Sequence, residues 1–257
     1  MPELPDLQAF SQNLEKKLKG KIVKTFFLVV KSKSKATEAN YKNSIEKQIV
    51  SAVYREGKEL RIQFSNGTIL GMHLMLHGEL NYFEGKNDKK NPILELLFTD
   101  DSGLALSDWQ QAARPSLNPL ASDVPDALDK KMDVKYLKSI LNSRARIKNI
   151  LINQKSIRGI GNAYADEILW EAKISPFSPG NKIPEVHIKA LAKSITSVLV
   201  AAEKQILKSN PGIISGELRD FMKIHNAKKT ISPKGAEIKH EVIGGRKTYY
   251  TDEQKMF

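Results

Sequence analysis

The chain has 257 residues, of which 40% are hydrophobic, enough for one large or two modest globular domains and too many for wholesale disorder. Its net charge of +12 and pI near 9.6 draw polyanions, chiefly nucleic acid or an acidic membrane surface. No run approaches the roughly 18 apolar residues of a membrane helix, MPELPDLQAF lacks the layout of a secretory signal, and zero cysteines exclude disulfides and thiolate metal sites, which fits a reducing cytoplasm.

Residues 5–18 put Leu7, Phe10, Leu14 and Leu18 at helical spacing, with Gly20 as the stop. From Lys21 the pattern turns strand-like: IVKTFFLVV, QIVSAVYR, ELRIQF, TILGMHLML, ELNYF, PILELLF and GLALSD. Turn signals such as Ser65-Asn66-Gly67 and Asp100-Asp101-Ser102-Gly103 separate them. That succession predicts an antiparallel sandwich or barrel with the first helix packed on it. In HLMLH, His73 and His77 share one face of a strand; no third ligand is evident, so both read as packing or hydrogen-bonding residues. Residues 115–130, PSLNPLASDVPDALDK, read as a linker. Helical patterns follow in DVKYLKSILNS, IKNILINQK, NAYADEILWEA, PEVHIKALAKSITSVLVAAEKQILKS and SGELRDFMKIH. GAEIKHEVI and KTYYTD, joined through Gly244-Gly245-Arg246, predict a small β-hairpin. The fold class is α+β.

Two features carry chemistry. A small residue after Met1 permits removal of the initiator, leaving Pro2 with a secondary amine. An α-amino group titrates near 7.7–8, so about a tenth or more is unprotonated at neutral pH. Such an amine attacks a sugar C1′ and forms an iminium (Schiff base) unaided, and Glu3 offers a carboxyl for proton transfer. Met-Pro starts are common, so this feature alone weighs little. The second is Arg158–Glu167, RGIGNAYADE. Gly159 and Gly161 permit a tight turn and close approach of a ligand. Asn162 sits where a helix N-cap belongs, beside free amides that bind phosphate, and Lys155 and Arg158 add charge.

MPELPD, GKELRIQF…GMHLMLHGEL, IRGIGNAYADEILWEAKISP and GGRKTYY, in that order over nearly the whole chain, resemble the formamidopyrimidine-DNA glycosylase/endonuclease VIII family. The resemblance implies a bifunctional base-excision enzyme in which the terminal proline displaces a damaged base and the Schiff base drives strand cleavage by β,δ-elimination. The expected protein is a monomer acting on damaged double-stranded DNA, in the cytoplasm or at a bacterial nucleoid, with no membrane; no cofactor is expected, because the finger departs from the family's zinc site. Pro2 matches the nucleophile and Glu3 the general acid. Lys58 matches a sandwich lysine at the lesion, and Lys155 and Asn162 match phosphate-binding positions of a helix–two-turn–helix module. Glu167 matches a carboxylate holding the terminal segment, and Arg246 the finger arginine beside the active site. The implied domains are a catalytic β-sandwich at 1–115, a linker at 116–130, a helix–two-turn–helix domain at 131–226 and a finger hairpin at 227–257.

Three departures matter. The family's finger carries four cysteines around zinc; here Ile231, Lys234, Thr251 and Gln254 fall at those positions, so the expected finger is zincless and held by Ile231, Ile238, Val242 and Tyr249. The family's opposite-strand reader, Asp-Pro-Arg-Arg-Phe, becomes Asp108-Trp109-Gln110-Gln111-Ala112, and its paired wedge Met becomes Leu76. Gln110 or Gln111 can still hydrogen-bond an orphaned base, Trp109 could stack but reads rather as a core residue, and opposite-base selectivity is in question. After Phe221 the chain lacks the insertion that covers 8-oxoguanine in the family, which argues against its efficient excision and favours oxidised pyrimidines, ring-opened purines, hydantoins or abasic sites. Two rivals stand beside the bifunctional enzyme: an abasic-site lyase without base excision, and a non-catalytic damaged-DNA-binding protein.

Overall fold

In a computed structural model describing residues 1–257, Leu4, Leu7, Phe10, Leu14 and Leu18 are each at most 1% exposed. They form the buried stripe of α1 (Leu4–Leu18), the spacing that the sequence displays. The chain divides into two compact units, Met1–Ala121 with Ile206–Glu217, and Ser122–Gln205 with Leu218–Phe257. No helix is long and apolar enough to cross a membrane.

The first unit is a sandwich of two antiparallel four-stranded sheets. One runs, in spatial order, β1 (Val23–Leu28), β6 (Pro92–Phe98), β7 (Ser102–Ser107), β5 (Glu79–Glu84). The other runs β2 (Val50–Glu56), β3 (Glu59–Phe64), β4 (Ile69–His73), β8 (Arg114–Leu117), and α1 packs against β2 and β3. All seven expected strands are present. The eighth is not anticipated: Pro115 suggested a linker, yet β8 pairs with β4 with Pro115 opposite Met72. It is an edge strand, where proline's missing N–H breaks no ladder. A short helix α2 (Glu38–Ile45), capped by Thr37, was also unread, because eight residues give too little periodicity.

The second unit holds α3 (Val134–Leu141), α4 (Ile147–Ile152), α5 (Asn162–Glu171), α6 (Glu185–Ser209, whose end from Ile206 belongs to the first unit) and the hairpin β9 (Lys239–Ile243)–β10 (Arg246–Tyr250). Gly244 and Gly245 both have positive φ, +56° and +76°, as a two-residue type I′ hairpin turn requires. The helix expected over SGELRDFMKIH does not form. Gly216 takes φ +88°. Farther on, the amides of Lys223, Ile224 and His225 donate to the Glu167 carboxylate at 2.9, 2.8 and 2.8 Å instead of to helical carbonyls. A buried acid thus outcompetes local helix propensity.

Candidate active site

At the start of the chain the Glu3 carboxylate accepts the Asp6 amide while the Glu3 amide donates to Asp6 Oδ2 at 2.9 Å, a reciprocal cap on α1. Glu3 is 4% exposed, and Pro2 beside it is buried. While Met1 is attached, the Pro2 nitrogen is a tertiary amide with no nucleophilic lone pair; the Met1 ammonium forms an ion pair with Glu217. Pro2 lines a cleft of about 130 Å³ together with Leu76, His77, Glu79, Trp109 and Glu217.

Two turns shape that cleft. β4 stops at His73, so His77 does not share a strand face with it as the alternation suggested. Leu74–Gly78 instead form a turn closed by Gly78 N–H donating to Leu74 O at 2.8 Å, with Met75 at φ +54°. A Cβ on Gly78 would lie 2.3 Å from that same carbonyl oxygen, so only glycine closes the turn. The Met75 amide donates to His73 Nδ1 at 3.1 Å. Burial holds the His73 pKa below its ordinary value; Glu59 opposes this, and the positive charges of Lys58 and Arg114 act in the same direction as burial. His73 therefore stays neutral and serves as an acceptor, the hydrogen-bonding role expected of it. The turn leaves Leu76 57% exposed.

The second turn begins at Asp108, 1% exposed, whose carboxylate accepts the amides of Gln110, Ala112 and Ala113 at 2.9, 2.8 and 2.8 Å. This Asx-type clamp holds the loop while leaving Gln110 and Gln111 exposed. Trp109 is not a core residue: it is 65% exposed and its ring lies 5.0 Å from that of His77. A large aromatic held in the open by a rigid loop suits stacking against a ligand. Lys58 sits in the β2–β3 turn after Gly57, which has φ +58°. Arg55 fixes this turn by donating to Gly57 O at 3.2 Å and to Gln8 of α1 at 3.1 Å. Pro2, Glu3, Lys58, Leu76, Gln110 and Gln111 thus all belong to the first unit.

In the second unit, α5 begins at Asn162, and its N-cap is Gly161, one residue earlier than the sequence suggested. Asn162 Nδ2 donates to Lys247 O at 2.9 Å, tying the helix start to β10. Gly159, at φ +100°, donates its amide to Gln154 Oε1 at 3.0 Å, which shapes the approach to the helix. Lys155 is exposed. Arg158 is spent on local structure, donating to Val124 O at 2.6 Å. Glu167 is 5% exposed, with its carboxylate on the 223–225 amides; this excludes a helix-surface charge and makes it an anchor for that segment. Arg246 is exposed at the first position of β10.

The hairpin is held differently from expectation. Ile231 and Val242 are 60% and 72% exposed; Val242 is so because a two-stranded hairpin has one covered face and the register sets it opposite exposed Lys247. Tyr249 packs with Trp170 and Ile224, with Ile238 alongside. Polar ties complete the attachment. Glu253 Oε2 accepts Trp170 Nε1–H and Ser232 Oγ–H at 2.8 Å each and Thr251 Oγ1–H at 3.1 Å. Gln254 bridges Thr251 N, at 2.9 Å, and Ile174 O, at 2.8 Å. Desolvation pushes the Glu253 pKa up, but these hydrogen bonds and Lys173 outweigh it, and the net direction is down. A depressed carboxylate pKa stabilises the fold above the unfolded-chain value and is lost as pH falls through the folded one. The finger is therefore expected to loosen selectively below about pH 4.3; a Trp170 emission shift on acidification checks this, and Glu253→Gln should abolish the transition.

The sequence does not display the residues that hold others: Arg55, Glu217 and the buried pair Lys148–Asp166; nor does it display that Asp108, read as part of the strand reader, clamps its own loop. Lys148, 1% exposed, meets Asp166 Oδ1 at 2.6 Å and Thr248 Oγ1 at 2.8 Å. Asp166 also takes the Tyr249 amide at 3.0 Å and contacts His225 Nδ1 at 2.7 Å. The one signal for the pair was a lysine inside the apolar run Ile147–Ile152.

The family profile described as the formamidopyrimidine-DNA glycosylase N-terminal domain matches residues 1–114, and the one described as that enzyme's H2TH domain matches 124–210. The chain is 30% identical to the formamidopyrimidine-DNA glycosylase of Pelotomaculum thermopropionicum and 26% identical to that of Ligilactobacillus salivarius, covering 97% of each chain in both cases. Among solved structures, wild-type Lactococcus lactis Fpg (MutM) in complex with oxidised-pyrimidine-containing DNA shares 25% identity at a TM-score of 0.87, over 99% of this chain and 100% of the other. The figures are the same for MutM in complex with carbocyclic 8-oxo-G-containing DNA.

Proposed function

This chain belongs to the formamidopyrimidine-DNA glycosylase family, and from that premise we propose that it is a bifunctional DNA glycosylase and abasic-site lyase for oxidised bases, with Pro2 as nucleophile once Met1 is removed. The Pro2 nitrogen attacks C1′ of the extruded nucleotide, the damaged base leaves, and the Schiff base labilises the flanking phosphates for β,δ-elimination. Glu3 donates the proton to the opening sugar. Lys58 in the first unit, and Lys155, Asn162 and Arg246 in the second, contact the DNA backbone near the lesion. The observation that carries the reading is the placing of Pro2 in the wall of a cleft, next to the cap residue Glu3 and facing the exposed pair Leu76 and Trp109.

Lesion reading in this chain departs from the family pattern. With Gln110 and Gln111 exposed on the Asp108-clamped loop and Trp109 in the open, contact with the opposite strand rests on amide hydrogen bonds and aromatic stacking. Stacking tolerates every base, which favours a broad opposite-base range. The short connection after Phe221 favours oxidised pyrimidines, ring-opened purines and hydantoins over 8-oxoguanine.

One experiment tests the whole. Protein whose terminus is verified as Pro2 is incubated with abasic and lesion-bearing duplexes, and borohydride is added. Covalent trapping on both, faster on an oxidised pyrimidine than on 8-oxoguanine, is the expected result. Trapping on abasic DNA alone would reduce the protein to a lyase, and trapping on neither would leave a damaged-DNA-binding protein.

A further inference from the structure

The stretch after α6 returns to the first unit and is fixed there by two bonds: Asn13 Nδ2 of α1 donates to Ile213 O at 2.8 Å, and the Leu80 amide of β5 donates to Ser215 Oγ at 3.1 Å. This places Glu217 at the chain terminus, where it pairs with the Met1 ammonium and lines the same cleft as Pro2. No step described so far uses its carboxylate.

We propose that Glu217 is the counter-ion of the terminal nitrogen: a positioning residue that, once Met1 is gone, holds the Pro2 ammonium before reaction and the iminium cation after it. This rests on the reading of Pro2 as the nucleophile. Backbone geometry keeps successive nitrogens within roughly 3–4 Å, so a carboxylate that meets the Met1 nitrogen reaches the Pro2 nitrogen by rotation about its own side-chain bonds. On an abasic aldehyde the nitrogen lone pair forms the C–N bond to C1′. The carbonyl oxygen then leaves as water, taking the amine proton and one proton more, and the positive charge stays on nitrogen. A neighbouring carboxylate favours both the ammonium and the iminium over the neutral amine. Its effect is to raise the pH at which the amine becomes free and to lengthen the life of the covalent intermediate. The other titratable groups facing the cleft are His77, from the Leu74–Gly78 turn, and Glu79, from β5. Glu3 lies next in the chain with its carboxylate on the α1 cap, and Asp108 has its own on loop amides.

The test compares wild type, Glu217→Gln and Glu217→Asp, each shown by mass spectrometry to begin at Pro2, in borohydride trapping on abasic duplex from mildly acidic to mildly alkaline pH. For Glu217→Gln the acid limb is expected to move down by about one pH unit or more, with several-fold less adduct at the plateau; Glu217→Asp should keep the wild-type limb. An acid limb that stays put in Glu217→Gln overturns the proposal. A purely structural role lowers trapping equally at every pH, and that outcome counts against it too. Wild type failing to trap at any pH brings down the Pro2 reading and this one with it, whereas failure of the Glu217 proposal alone leaves wild-type trapping intact.

Discussion

Pro2→Gly, with Met1 removed, is expected to bring covalent trapping on abasic DNA close to background while leaving DNA affinity nearly unchanged. A secondary amine has no second proton to lose after it bonds to C1′, so its adduct remains a cation that withdraws electrons from the sugar. Glycine offers a primary amine, whose adduct can shed a proton and lose that charge. A terminus that retains Met1 should be inactive altogether, since an amide nitrogen cannot attack. Glu3→Gln is expected to lower base excision by on the order of 10²–10⁴-fold, the usual range for a lost general acid, and to spare trapping on DNA that is already abasic. Because Gln keeps an oxygen for the Asp6 amide, the α1 cap survives, and thermal melting would show this. Equal loss on both substrates would remove Glu3 from the acid role.

The second large effect concerns folding. Lys148 and Asp166 are 1% and 0% exposed, so removing either leaves a buried charge without its partner, at a cost of about 3–5 kcal/mol. Asp166→Ala should do more than Lys148→Met, because it also frees the Tyr249 amide and the His225 ring. Urea denaturation with a probe in the second unit reads both. The double variant is expected to recover part of the loss, as paired replacement by apolar groups does elsewhere; strict additivity would show that the two side chains do not interact.

How much of this was legible in the sequence follows from the kind of signal each feature leaves. The α1 stripe and the seven strands announce themselves by period, because burial selects every second or every third-to-fourth residue. β8 was hidden because proline argues against a strand except at an edge, and edges are decided by distant partners. The false helix over 215–225 has good local propensity but loses its last three amides to Glu167, a residue 56 to 58 positions away. The same division runs through the site. Pro2, Glu3 and the Gly-Gly-Arg turn are readable in place. Trp109 was misjudged because large aromatics are usually buried, and what keeps this one in solvent is the carboxylate of Asp108 gripping three amides.

The polar attachment of the finger has a consequence for the conditions under which the protein can work. Its hairpin is fastened by Glu253, Ser232, Thr251 and Gln254, and the chain contains no cysteine at all. Folding of this element is therefore linked to proton concentration through carboxylates, Glu253 and Asp166, and not to thiol redox state. Peroxide finds no sulfhydryl here to convert, so an oxidant cannot release the hairpin by way of a thiol.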